Sequence, residues 1–282
     1  MINLNKISDF LKETVVSAGD LAVRLRSTPA REQRIIKGTE GDFATASDIE
    51  VENFICQKIK ETFPTAKIFA EEGTKTKLSP ETFIIDPIDG TKVYADGQSK
   101  EWGIMIAWYS GSNNDASCIY LPDYSSLLFA AKDKGATELD PKSKKEKKLD
   151  FSSKNQTLLQ LTSRVWGVSS CFSPDRAQLF QNDLKTKTNL LDHQQYPFMA
   201  SAYVAKLFAE NKLNLVANID PIDDSNVWDI FPVTTLIKEG GGVAVGIDRG
   251  DIVWQEKGNS FCASSSAKAA EEFLELVRKY KK

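Results

Sequence analysis

One apolar run constrains this chain more than any other: Phe83-Ile84-Ile85 passes directly into Asp86-Pro87-Ile88-Asp89-Gly90-Thr91. Consecutive apolar residues closed by Pro and Gly read as a buried strand. It stops abruptly in two carboxylates three residues apart around a proline. Pro87 fixes one backbone torsion, so Asp86, the carbonyl of Ile88 and Asp89 can converge on one point with hard oxygen donors of the kind magnesium prefers. Gly90 and Thr91 then let backbone N–H groups approach an anion. Taken alone, the same string also reads as a polar turn after a strand.

A second strand, Lys67-Ile68-Phe69-Ala70, ends in Glu71-Glu72 in the same topological position about 15 residues earlier. Two adjacent strands therefore bring four acids to one sheet edge. Like charges packed so closely raise each other's pKa unless a divalent cation neutralises them. By itself Glu71-Glu72 also reads as an exposed pair at the start of a loop. Asp229, in Val227-Trp228-Asp229-Ile230, lies at a helix start, where its charge suits the positive end of the dipole. That placement is common for stability alone.

The single histidine, His193, sits in the polar run Asp192-His193-Gln194-Gln195 and reads as a surface residue. Without a second imidazole, histidine-assisted nucleophiles and zinc chemistry are disfavoured. Cys56, Cys118, Cys171 and Cys262 are scattered singly, with no CxxC spacing, and read as reduced core thiols. Carboxylates remain as the chemistry-bearing groups.

Around these motifs the chain alternates helix and strand. Ile7, Phe10, Leu11, Val15, Ala18, Ala22 and Leu25 form a helical stripe over residues 3–26. After a loop, a second helix is expected to open at Ser47-Asp48-Ile49-Glu50, where Ser and Glu three apart make a capping box. It should bury Ile49, Phe54, Ile55 and Ile59 and stop before Pro64. Strands are expected at 102–109, 117–120 and 127–131, with Trp102 and Trp108 sharing one face. Residues 132–148 hold seven lysines and read as a solvated connector. Beyond it come strand-like segments at 157–168, 213–217 and 242–247, and helices from Pro174, over 200–209, 229–238 and 268–281. The expected division is an N-terminal α+β part, 1–150, and a C-terminal α/β part, 151–282.

Together the motifs resemble the inositol monophosphatase family, magnesium-dependent and lithium-sensitive phosphatases that include 3′-phosphoadenosine 5′-phosphate nucleotidases and some fructose-1,6-bisphosphatases. The markers stand in the family's order: Gly41-Asp42-Phe43-Ala44-Thr45-Ala46-Ser47-Asp48, Ala70-Glu71-Glu72, Asp86 through Thr91, and Trp228-Asp229 before Glu239-Gly240-Gly241. The resemblance implies an α+β fold, a layered α-β-α-β-α sandwich. It implies hydrolysis of a small phosphomonoester by metal-activated water, with two or three Mg2+ ions that Mn2+ can replace. Glu71, Asp86 and the Ile88 carbonyl would hold the first ion; Asp86, Asp89 and Asp229 the second. Asp48 and Thr91 would position and deprotonate the attacking water, Glu72 would act as an outer acid, and Gly90 and Thr91 would meet the phosphate. Lys37, eleven residues before Asp48, would screen the acids.

On the substrate side the chain departs from the family. Phe198-Met199-Ala200 stands before Ser201-Ala202, and Ile222, near Asp220, Asp223 and Asp224, occupies the position of an expected acid. Inositol monophosphate or a related sugar phosphate is one expectation and 3′-phosphoadenosine 5′-phosphate another; Lys92 is shared with the nucleotidase branch. A non-catalytic metal-binding scaffold is a third. A dehalogenase-type phosphatase would need Asp at 88, and a tyrosine phosphatase five residues between Cys171 and Arg176 instead of four. With 36 basic and 39 acidic side chains, a net charge of −3, no nucleic-acid polymer is expected as partner. No apolar run long enough for a membrane span and no export signal are visible, so a cytoplasmic protein is expected, with a homodimer allowed by the family resemblance.

Overall fold

The computed structural model describes residues 3–281 except 38–42, 74–75, 112–114, 153–154, 167–170, 192–198, 221–225, 249 and 256. Gly41, Asp42, His193, Phe198, Ile222, Asp223 and Asp224 thus lie outside the described residues. In chain order the helices are α1 (Leu4–Arg26), α2 (Ala46–Thr62), α3 (Thr91–Asp96), α4 (Pro174–Lys187), α5 (Ser201–Ala209), α6 (Val227–Glu239) and α7 (Ala267–Lys281). None of the described helices is long and apolar enough to cross a membrane.

Strands β1 (Arg34–Ile36) and β2 (Phe43–Thr45) form a small antiparallel pair, where the sequence suggested only a loop. Seven strands then make the first large sheet: β3 (Lys67–Ala70), β4 (Thr82–Asp89), β5 (Gly103–Tyr109), β6 (Ala116–Leu121), β7 (Ser126–Ala131), β8 (Gly135–Leu139) and β9 (Glu146–Leu149), side by side in that order. Only β3 and β4 run parallel; every other neighbour is antiparallel. The lysine-rich segment is therefore a hairpin that extends the sheet. Its alternating pattern is masked because edge strands tolerate charge on their open faces. The second sheet comprises β10 (Thr162–Trp166), β11 (Asn189–Leu190), β12 (Leu215–Asn218), β13 (Val243–Gly246) and β14 (Phe261–Ser264), in the order β11-β10-β12-β14-β13.

Apolar cores stack these elements into five layers. Ile7, Leu11, Val15, Ala18 and Ala22 of α1 and Val51, Ile55 and Ile59 of α2 pack on one face of the seven-stranded sheet against Phe83, Ile85, Ile106 and Cys118. Trp102 and Trp108 both lie in this core. On the opposite face Met105, Ile119, Leu128 and Ala130 meet Ala202, Ala205 and Phe208 of α5 and Ile230, Val233 and Ile237 of α6. Those two helices also touch Phe261 and Ala263 of the second sheet, whose far face is covered by Phe180 and Leu184 of α4 and Phe273 and Val277 of α7. The α-β-α-β-α sandwich is the arrangement that a chain with two half-apolar sheets needs to hide four apolar faces.

Cys56, Cys118 and Cys262 are buried thiols as expected, whereas Cys171 is only half-buried. The start of α2 differs from the sequence expectation. Its N-cap is Thr45, and Asp48, not Glu50, closes the capping box.

Gly103, at the start of β5, pairs with Asp89 of β4. A Cβ there would lie 2.7 Å from Ala202 Cβ of α5 and 2.9 Å from the Tyr120 carbonyl oxygen. The close seating of α5 on the sheet thus depends on the missing side chain. Gly to Ala in a strand ordinarily stabilises by about 0.5–1 kcal/mol, but overpacking costs about 1–3 kcal/mol. Gly103→Ala is accordingly expected to destabilise the protein by roughly 1–2 kcal/mol in chemical denaturation; an unchanged midpoint would show that α5 can move freely off β5.

Candidate active site

The C-terminal end of β4 carries the site because the strand breaks its pairing there. Asp86 is registered with Met105 and Asp89 with Gly103, and the register shifts in between. Pro87 has no N–H to give to the sheet, and a bulge re-aims the side chains around it. Gly90 follows with φ of 84°, a left-handed conformation that a side chain resists, and a Cβ would lie 3.0 Å from the Glu101 carbonyl oxygen. The chain then turns into α3 at Thr91.

Three carboxylates predicted from two separate motifs meet at this point. One oxygen each of Asp86, Asp89 and Asp229 lies within 4.8 Å of the other two. Asp229 arrives in the first turn of α6, one residue after Trp228, whose ring packs 5.7 Å from that of Phe69 at the end of β3. Packing of the apolar residue sets the position of the acid beside it. Asp229 also accepts a hydrogen bond from Asn226 Nδ2 at 3.2 Å.

Glu71 extends the parallel pairing by one residue, since its N–H donates to the Ile85 carbonyl at 3.1 Å. Its negative charge reaches Asp86, Asp89 and Asp229. Glu72 feels the charges of both Glu71 and Asp48. Lys37, just beyond β1, donates to Glu71 Oε1 at 2.8 Å and to Glu72 Oε1. Burial alone would lower the Lys37 pKa, but the Glu71 and Glu72 carboxylates override it and hold it above the usual value.

Asp48 and Thr91 form a bonded pair on the other flank, with Thr91 Oγ1 2.9 Å from Asp48 Oδ1 and 3.1 Å from the Ile88 carbonyl oxygen. The second oxygen, Asp48 Oδ2, accepts from the Thr45 N–H at 2.8 Å and the Thr45 hydroxyl at 2.5 Å. The capping box thus fixes the carboxylate that receives the Thr91 hydroxyl.

Burial dominates the electrostatics. It raises the pKa of Asp48 to about 6 against the hydrogen bonds from Thr45 and Thr91. Asp89 rises to about 7, opposed by backbone N–H groups of Ala202 and Ser201, and Glu72 to about 8. Asp86 and Asp229 are pushed well above the carboxylate range, first by burial and then by neighbouring acids. Among the described residues, the buried Asp86 Oδ1 accepts no hydrogen bond. An orphaned carboxylate oxygen in a convergent, all-oxygen donor set fits a hard divalent cation.

Two contributors were not anticipated from sequence. The N-terminus of α5 faces Asp89, whose Oδ2 accepts the Ala202 N–H at 2.5 Å across 113 residues of chain. Glu52 of α2 accepts the N–H groups of Glu72 and Gly73 at 2.6 and 2.9 Å. The spacing of Asp48 and Glu52, four residues apart and therefore on one helix face, was the available signal for the latter.

Comparison with known proteins gives the family and the fold. The inositol monophosphatase family model matches residues 3–282. The chain is 26% identical over 273 residues to inositol monophosphatase 1 of Saccharomyces cerevisiae, covering 89% of this chain and 85% of the relative. It is 30% identical over 142 residues to inositol-1-monophosphatase of Bacillus subtilis, a match spanning 48% of this chain and about half, 51%, of that protein. An inositol monophosphatase structure from Thermotoga maritima superposes with a TM-score of 0.74 at 20% identity, covering 96% of each chain. The match along nearly the entire chain means that this chain belongs to the inositol monophosphatase family.

Proposed function

We propose that the protein is a Mg2+-dependent phosphomonoesterase acting on a small phosphorylated substrate, an inositol monophosphate or related sugar phosphate. The observation that carries this reading is the convergence of Asp86, Asp89 and Asp229 within 4.8 Å beside the bonded Asp48–Thr91 pair. Glu71, Asp86, the Ile88 carbonyl, Asp89 and Asp229 would hold the cations. When bound, Mg2+ supplies Lewis acidity toward phosphoryl oxygen and lowers the pKa of water. The names of the yeast and Bacillus relatives support inositol phosphate as the first substrate to test.

The chain's own residues handle the proton. Asp48 accepts the Thr91 hydroxyl hydrogen, which leaves the lone pairs of Thr91 Oγ1 free to accept from a water. A carboxylate with a pKa of about 6 is suited to take up a proton near neutrality. Gly90 and Thr91 offer backbone N–H groups to the phosphate. Glu72, held by Lys37, tunes the surrounding charge without touching substrate.

Phosphate release in the presence of Mg2+ from inositol 1-phosphate, fructose 1,6-bisphosphate and 3′-phosphoadenosine 5′-phosphate tests the reading. Turnover of the first is expected to exceed the others; no turnover of any phosphomonoester would favour a metal-binding scaffold. Thr91→Ala is expected to lower kcat by about 10²-fold or more with little change in KM, while Thr91→Ser retains much of the rate. A slower Thr91→Ser enzyme equal to Thr91→Ala would remove the hydroxyl from the mechanism.

A pH dependence follows from the buried acids. Carboxylates whose pKa is raised in the folded state are already ionised in the unfolded chain at neutral pH. The stability they contribute is present below the unfolded value near 4 and is lost as pH rises through the folded values. For Asp48 and Asp89 those values are about 6 and about 7. Metal-free protein is therefore expected to lose stability between about pH 4 and pH 7, by roughly 1 kcal/mol per pH unit at most for each titrating group, and to level off above that range. Millimolar Mg2+ should flatten the dependence. Thermal melts across this range in chelator and in Mg2+ check it, and a chelated protein that gains stability with pH would contradict the assignment.

A further inference from the structure

Glu52 is a buried carboxyl group for which the proposed chemistry has no use. It lies one helical turn after Asp48 on α2 and is 4% exposed. Its two oxygens accept successive backbone N–H groups, those of Glu72 and Gly73. The preceding N–H, that of Glu71, is held by β4 through Ile85. Three consecutive amides after β3 are therefore pinned, one by the sheet and two by a single carboxylate. Lys37, just beyond β1, grips the side chains of Glu71 and Glu72.

A carboxylate is the side chain suited to this task. It offers two acceptor oxygens, whereas Gln offers one acceptor and an NH2 group that would face a second N–H. Hydrogen bonds from amides to an ionised oxygen are also shorter and stronger than neutral ones. Asp48 and Glu52 share a helix face, so α2 ties together the end of β4, through Thr91, and the end of β3, through residues 72 and 73. A rigid helix thereby sets the spacing between two strand ends that carry separate parts of the site.

We propose that Glu52 is a positioning residue for divalent-cation binding: by clamping the backbone of residues 72 and 73 it holds Glu71 toward Asp86, Asp89 and Asp229. This rests on the reading of Glu71 as a cation ligand given above. Outer partners that orient ligands typically change metal affinity by about 10–100-fold when removed, whereas a residue serving only to stabilise a turn would leave affinity alone.

Isothermal titration calorimetry of the chelator-stripped full chain with Mg2+, at a temperature where each variant is folded by circular dichroism, separates these roles. Glu52→Ala is expected to weaken Mg2+ binding about 10-fold or more, with Glu52→Gln intermediate. Ile59→Val, a core truncation on the same helix, should lower the melting temperature and leave the Mg2+ affinity within twofold of wild type. Affinity of Glu52→Ala within twofold of wild type would overturn the proposal, as would an equal loss in Ile59→Val. If Glu52→Ala does not fold, Glu52→Gln carries the same criterion with a threefold threshold. A wild-type protein that binds no Mg2+ would instead defeat the cation reading on which the proposal stands.

Discussion

Mutual repulsion among buried carboxylates is the constraint to which the rest of this molecule answers. Asp86, Asp89 and Asp229 are held together in a site where burial and the nearby Glu71 all oppose their ionisation. Nothing in such a cluster holds itself in place. The apolar residues alternating with the acids do so. Phe83, Ile85 and Ile88 of β4 enter the core beneath α1 and α2, while Ile84 turns to the opposite face and packs with Phe69, Ala107, Val227 and Trp228. Each large apolar side chain buried in this way contributes about 1.5–3 kcal/mol. A handful of them offsets the cost of gathering buried acids at one point.

Local positive charge does the remainder. Lys37 lies against Glu71 and Glu72, and the N-terminal N–H groups of α5 meet Asp89. A helix N-terminus and an ammonium group are complementary devices, since one is a fixed backbone dipole and the other sits on a flexible stem. Asp89 consequently lies where the end of β4, a helix packed between the sheets and the acid cluster come into contact.

Much of this was legible in the amino-acid sequence because the signals are local. The apolar stripe of α1, the run 83–91 and the pair Glu71-Glu72 each announce themselves within a few residues, and β3 and β4 stand where the pattern put them. The beginning of α2 was misread for a simple reason. Ser47 with Glu50 and Thr45 with Asp48 have the same spacing, and only the tertiary demand that Asp48 reach Thr91 selects between them. β1, β2 and β14, of three or four residues, lack a flanking signal such as the acid pair that marks the equally short β3. Contacts such as Asp89 to Ala202 join positions more than a hundred residues apart and have no local trace at all.

The order of the acids along the chain has a temporal consequence. Asp48, Glu71, Asp86 and Asp89 belong to the first 89 residues, and the whole seven-stranded sheet is encoded by residue 149. Asp229 is synthesised 140 residues after Asp89. At a ribosomal rate of about 5–20 residues per second, that is a delay of roughly 7–28 s. For much of it the nascent chain carries these acids with Asp229 and α6 not yet made and with Lys37 already available as their counter-charge. The lysine near the beginning of the chain thus serves a growing polypeptide before it serves a finished one, as a resident cation for acids whose last companion has yet to leave the ribosome.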